Sequence, residues 1–270
     1  MSTSQPQLDL ERELAVACRL AVQAGAALVR DRRSAVGPRA TRRGPVTTAD
    51  LVADSIVRDG IAEAFPLDAL YSKNAADSTS RLSSLRVWIV DPLDSTTNYM
   101  QGGDEFSVSI GLAVDGRATL GVVYNPARDE LIVGSLSRGV RLNGQPARAS
   151  RATRIQSARL TVGRKSWQRD PHGVARGLTV IPMAGMAYKL ARVAAGMDDG
   201  VVSVKRRTEW GTCAGVALVQ AAGGRTTLLD GSPIVFNRAE PEQPLGMLAA
   251  GPKLHPVLLA RLQAKNEALR

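Results

Sequence analysis

Between residues 86 and 135 the chain passes through four β-branched and apolar segments, 86–90, 106–114, 118–124 and 130–135. The later ones are joined by turns of a few residues, Asp115-Gly116 among them. Connections this short leave no room for a crossover helix, so the strands must return antiparallel and one antiparallel sheet is predicted. Residues 140–143 close this half at the Asn143-Gly144 turn. Beyond residue 150 the pattern changes. Strand-like segments at 159–162, 179–182, 201–204, 225–229 and 246–250 are interspersed with helical ones at 186–195, 212–222 and from His255 onward, which predicts a second α/β layer. Ahead of both, Leu10, Leu14, Ala17, Ala21, Ala24 and Leu28 recur at helical spacing, so an amphipathic helix is expected over residues 8–32. Residues 37–45 read as a basic loop, and 50–64 as a second helix stopped by Phe65-Pro66. With 270 residues, 44% of them apolar, the chain can bury a full core in two parts, 1–150 and 151–270.

The strand at 86–90 runs into Asp91-Pro92-Leu93-Asp94 and then Ser95-Thr96-Thr97. Pro92 fixes φ and has no N–H, so a turn there can carry Asp94 round to the side of Asp91. Two carboxylates in one small volume are costly without a cation, and their oxygens, with the Leu93 carbonyl, suit Mg²⁺. The hydroxyls and amides of Ser95, Thr96 and Thr97 would stand at a helix start, where a phosphate is favoured. The same residues also read as a plain Asp-rich turn that caps the next helix.

The formal charge is +10, nearly all of the excess being arginine. Such an excess attracts anions toward a cleft. Most of these arginines, the run 205–207 included, read as solvated surface, with Arg39, Arg42 and Arg43 set apart as a mobile phosphate-contacting loop. Nucleic acid is weakly supported, because aromatics make up only 4% of the chain and no recognisable module is present. Cys18 and Cys213 belong to no ligand pattern and read as reduced core residues; His172 and His255 are isolated, so neither a zinc site nor a Ser-His-Asp triad is indicated. No apolar run reaches membrane-spanning length and the first ten residues are polar, so a cytoplasmic protein is expected.

Residues 88–99 together with Phe106-Ser107-Val108-Ser109-Ile110-Gly111-Leu112 and Gly121-Val122-Val123-Tyr124-Asn125-Pro126 resemble the inositol monophosphatase family, including its relatives that hydrolyse 3'-phosphoadenosine nucleotides. Pro45-Val46-Thr47-Thr48-Ala49-Asp50 is similar to the family's entry motif, and Glu209-Trp210-Gly211-Thr212-Cys213-Ala214-Gly215 to its second signature. The resemblance implies a layered α/β/α/β/α fold with the site between halves, a homodimer, Mg²⁺ held by Asp91, Leu93 and Asp94, and a water oriented by Asp50.

It also exposes two departures. Where the family has a metal-binding glutamate this chain has Lys73, and where it has an aspartate after the tryptophan this chain has Gly211. An ammonium about 4 Å from Mg²⁺ is repelled by roughly 8 kcal/mol at an effective dielectric of about 20. Tight binding of several metals is therefore not expected. Lys73 reads either as a solvated loop lysine or as a built-in cation pairing with Asp91 or meeting a substrate phosphate. Glu209 reads as an exposed first-turn glutamate. Three functions compete: hydrolysis of a small phosphorylated metabolite with weak Mg²⁺, Asp50 and Thr96 positioning water and Ser95, Thr96, Thr97 and Arg43 on the substrate; metal-independent chemistry on such a molecule with Lys73 in place of a metal as phosphate anchor or general acid and Asp91 or Asp94 as base; and non-catalytic binding.

Overall fold

A computed structural model describes residues 10–33, 39–41, 44–164 and 178–267. Helices α1 (Glu11–Asp31) and α2 (Thr48–Ala64) pack side by side on one face of a seven-stranded sheet. That sheet takes β3 (Ala69–Ser72), β4 (Arg86–Asp94), β5 (Ser107–Val114), β6 (Arg117–Asn125), β7 (Glu130–Ser135), β8 (Gly139–Leu142) and β9 (Gln145–Ala147) in chain order. Only the β3–β4 pair is parallel; every other pair is antiparallel. The region expected as a basic loop instead holds a short hairpin, β1 (Arg39–Thr41) against β2 (Gly44–Val46), because Arg39 and Val46 come into register.

Alternation along β4 builds both faces at once. Trp88 and Val90 enter the core under α1 and α2, while Val87 and Ile89 enter the core on the opposite side. After the short helix α3 (Thr96–Met100) that follows β4, the next two helices, α4 (Met186–Ala194) and α5 (Cys213–Ala221), lie there. Beneath them runs a five-stranded sheet ordered β11 (Thr179–Met183), β10 (Arg159–Gly163), β12 (Gly200–Ser203), β14 (Met247–Ala250), β13 (Arg225–Leu228). Helix α6 (Leu254–Glu267) covers its far face through Leu254, Leu258 and Leu262. The layers are thus α/β/α/β/α.

Two details position the site. In β4, Asp91 pairs with Ser109 and Asp94 with Ser107, so three steps on one strand face two on the other. This extra residue is a bulge, and it corrects the expected turn: the strand continues through Asp94 with Pro92 inside the irregularity. Side chains three apart in a regular strand point to opposite faces; the bulge returns Asp94 to the face of Asp91. On the same face, Gly111 and Gly121 pair across β5 and β6 and lie against the start of α5. A Cβ on Gly111 would stand 2.7 Å from the Ala214 amide nitrogen, so these glycines let α5, and Trp210-Gly211 before it, sit directly on the sheet.

Candidate functional site

Lys73 follows β3, and its amide donates to the Val90 carbonyl of β4 (3.1 Å). That pairing aims the side chain along the sheet toward the bulge. Its Nζ donates to the Leu93 carbonyl (2.8 Å) and to Thr96 Oγ1 (3.2 Å), and lies 3.2 Å from Asp91 Oδ1 and 4.0 Å from Asp50 Oδ1. Lys73 is only 7% exposed. Burial works against its charge, but Asp91 and Asp50 outweigh that and its pKa is raised, so the ammonium is permanently charged.

Asp50 comes from the first turn of α2, which starts two residues earlier than expected. Thr47 is the N-cap: Asp50 N donates to Thr47 Oγ1 (3.2 Å), and Thr47 N donates to Asp50 Oδ2 (3.0 Å). The entry motif is therefore also a capping box. Asp50 Oδ1 is buried without a hydrogen-bond partner, and burial, opposed by Lys73, pushes its carboxyl up to about 6.

In front of this nest lies a cleft of about 380 Å³. Asp91 and Asp94 form part of one wall, with Ser95, Thr97 and Asn98 beside them. Asp94 Oδ2 accepts from the Ala187 amide at the start of α4 (2.8 Å); burial, reinforced by Asp91 and opposed by Lys73 and Lys189, pushes it up to about 6. The lining also includes Lys189 from α4, Arg207 beyond β12, and Arg164, which pairs with Glu105 at 2.7 Å. Lys189 is 3% exposed, and its Nζ donates at 3.4 Å to the Met183 carbonyl. Burial, with Arg207 adding to it, lowers its pKa to about 7 against the pull of Asp94 and Glu105. Gly211 lines the same cleft, where a Cβ would meet Thr208 Oγ1 at 3.3 Å.

Of the residues singled out from sequence, Asp50, Lys73, Asp91, the Leu93 carbonyl, Asp94 and Thr96 converge around the bulge. Ser95 and Thr97 border the cleft, whereas the Thr96 hydroxyl turns inward, donating to the Leu93 carbonyl at 3.2 Å. Arg42 and Arg43 lie outside the described residues, as does the side chain of Arg39. Two expectations are corrected. Glu209 is fully buried, not exposed, because its carboxylate accepts from the amides of Asn237 (2.9 Å) and Arg238 (2.8 Å); burial, opposed by those bonds, pushes it up to about 7. Arg207 is half-buried in the cleft wall rather than solvated, held by its bond to Ser203 Oγ (2.6 Å). Lys189 drew no attention in the sequence, yet a signal existed: it shares a helix face with Met186, Leu190 and Val193, all buried.

A family-level sequence profile described as the inositol monophosphatase family matches residues 9–267. The chain belongs to the inositol monophosphatase family. It is 31% identical over 230 residues to an inositol-1-monophosphatase of Mesorhizobium japonicum, covering 81% of this chain and 86% of that one. It is 29% identical over 229 residues to the Nus factor SuhB of Salmonella typhimurium, covering 78% and 83%. Among solved structures, the inositol monophosphatase from Anabaena superposes with a TM-score of 0.77 at 28% identity, covering 94% of this chain and 96% of that chain. Within the inositol monophosphatase fold, then, this chain carries a lysine ammonium between Asp91, Leu93 and Thr96. Among the described residues, no group of three or more His, Cys, Asp or Glu side chains is placed to hold a metal ion, and no helix is long and apolar enough to cross a membrane.

Proposed function

We propose that this chain acts on a small phosphorylated metabolite, an inositol, sugar or nucleotide phosphate, by phosphomonoester hydrolysis with Mg²⁺ bound weakly or not at all. The observation that carries the second half is the seat of Lys73, whose ammonium engages the Leu93 carbonyl and Asp91, oxygens that the family resemblance gives to a metal. Mg²⁺ demands oxygens at about 2.0–2.1 Å in near-octahedral array. An ammonium already bonded to those oxygens leaves no such array, so the residues present do not fit a multi-metal cluster and no step is assigned to one.

In this reading Lys73 neutralises Asp91 and Asp50 so that an anion can approach, and Thr96 orients that ammonium. Asp50, with one oxygen unpartnered and a pKa of about 6, holds and deprotonates water near neutral pH. Asp50 is fully buried and does not line the cleft, so water must displace the Lys73 side chain to reach it and turnover is expected to be slow. Ser95 and Thr97 offer donors to the phosphoryl oxygens, and Arg43 belongs to the same proposal. One observation favours metal-independent chemistry or binding as a second reading: the Lys73 ammonium is saturated by protein oxygens and screens Asp50 from the cleft. A homodimer in the cytoplasm completes the proposal and is tested by sedimentation of the full chain.

Calorimetric titration of Mg²⁺ into the native protein and into the Lys73→Glu, Gly211→Asp variant decides the metal question. At Gly211 the new Cβ meets Thr208 Oγ1 at 3.3 Å, so that hydroxyl must shift by a few tenths of an ångström to admit the side chain. The expected outcome is little or no heat from the native chain and clear binding by the variant, stabilising it by about 2.7 kcal/mol at a hundredfold excess over Kd. Tight binding by the native protein would overturn the proposed metal dependence. Phosphate release from a phosphomonoester panel, with and without EDTA, separates hydrolysis from the second reading.

A further inference from the structure

Lys73 settles the charge behind the cleft but offers nothing to a ligand inside it. The cations that line the cleft come from other elements. Lys189, from α4, and Arg207, beyond β12, both line it, and among the described residues neither has a carboxylate within ion-pair distance. Lys189 is almost fully buried, and its ammonium has only a long bond to the Met183 carbonyl. Arg207 spends one N–H on Ser203 and otherwise looks toward Asp94 across the space. Burying a cation without a counter-ion is costly, and two cations side by side are costlier. In the same cleft Arg164 has its counter-ion in Glu105, so the lack of one at Lys189 and Arg207 is local.

We propose that Lys189 and Arg207 form a metal-free anion site that receives the phosphoryl group, taking over the contact with its oxygens that a metal ion would otherwise make. This rests on the reading that the cleft takes a phosphorylated metabolite, and deepens it by adding to the donors of Ser95 and Thr97 two cations from the same lining. Chemically the pair suits a phosphate: the guanidinium presents a planar fork to two oxygens, and the ammonium supplies a point charge to a third. Asp91 does not repel the incoming anion, because Lys73 already neutralises it. The lowered pKa of Lys189 agrees with a cation held ready for a partner the protein does not provide.

The test is calorimetry with inorganic phosphate in slightly acidic, EDTA-containing buffer, using the full chain and the variants Lys189→Met, Lys189→Gln, Arg207→Met and Lys189→Arg. Unfolding midpoints establish which variants are folded, and Lys189→Gln stands in where Lys189→Met is not. Native protein is expected to bind phosphate without metal. Each charge-removing variant should bind about tenfold more weakly or worse, and Lys189→Arg within about threefold of native. Binding that needs added Mg²⁺, or that is as tight in Lys189→Met (or Lys189→Gln) and in Arg207→Met as in native protein, overturns the inference. If the native chain cleaves p-nitrophenyl phosphate and the variants do so with unchanged KM, the inference falls while the proposed function stands. If native protein neither binds phosphate nor cleaves that ester, with or without Mg²⁺, both fall.

Discussion

Lys189 lines the cleft and Lys73 lies behind it, and both are nearly inaccessible to solvent. Their charge states differ. Lys73 has Asp91, Asp50, a carbonyl and a hydroxyl around it, and its pKa is raised; Lys189 has one long bond to a carbonyl, and its pKa falls to about 7. Burial alone therefore does not decide what a lysine does here. Partners decide it, and the two lysines have correspondingly different uses: one completes the protein, the other waits for something outside it.

The strongest way to break this contrast is to remove each charge while keeping the chain's shape. Lys73→Met leaves Asp91 and Asp50 buried without their counter-ion and should destabilise by about 3–5 kcal/mol at neutral pH, read by urea denaturation. The loss should shrink as pH falls, because protonation discharges the stranded carboxylates; a loss independent of pH would show that Lys73 acts by packing instead. Lys189→Met should do the opposite and stabilise the empty protein, by about 1–3 kcal/mol.

The pH dependence of that second effect follows from linkage. A lysine whose folded pKa lies near 7 against 10.5 when unfolded is penalised in full below pH 7. The unfolded chain binds more protons between these values, so native stability rises with pH across that window. The difference between Lys189→Met and native protein should then close from about pH 7 to 10, measured by thermal unfolding. Arg207, Asp94 and Glu105 are the charged groups acting on it, and Arg207→Met should shift the window upward by removing the like charge. A smaller effect is expected at Thr47. Thr47→Ala removes the cap of α2 at a cost of about 1 kcal/mol and, by taking one hydroxyl from Asp50, raises that carboxyl further, detectable by NMR titration.

Much of the architecture was legible because it is written in periodicity. The alternation at 87–90 sends side chains to two cores, and the predicted runs correspond to the strands and helices to within a few residues. The pairing of Lys73 with Asp91 was legible as one of two readings, since a carboxylate cluster short of a metal needs another cation. The bulge was not. It depends on how 91–94 registers with Ser107 and Ser109, which lie in a strand met only later in the sequence, and local turn chemistry pointed to Pro92 instead. Arg207 and Glu209 were misplaced for a related reason. Whether a charged side chain after a strand reaches solvent is set by what covers it, here Ser203 and the amides of Asn237 and Arg238. Lys189 was legible in principle, as a charge on an apolar helix face, and had been absorbed into the helix.

The bulge in β4 makes chain length count for more than chemistry at this point. Exchanging Pro92 or Leu93 for another residue leaves the number of steps between Asp91 and Asp94 untouched. Deleting either one would leave two steps against two and remove the bulge: Asp94 would stay opposite Ser107 on the face of Asp91, but the carbonyl that the extra residue turns toward Lys73 Nζ would be drawn back into the ladder. A chain one residue shorter here would keep both carboxylates facing the cleft and yet lose the carbonyl seat of the Lys73 ammonium, with every charged side chain still in place.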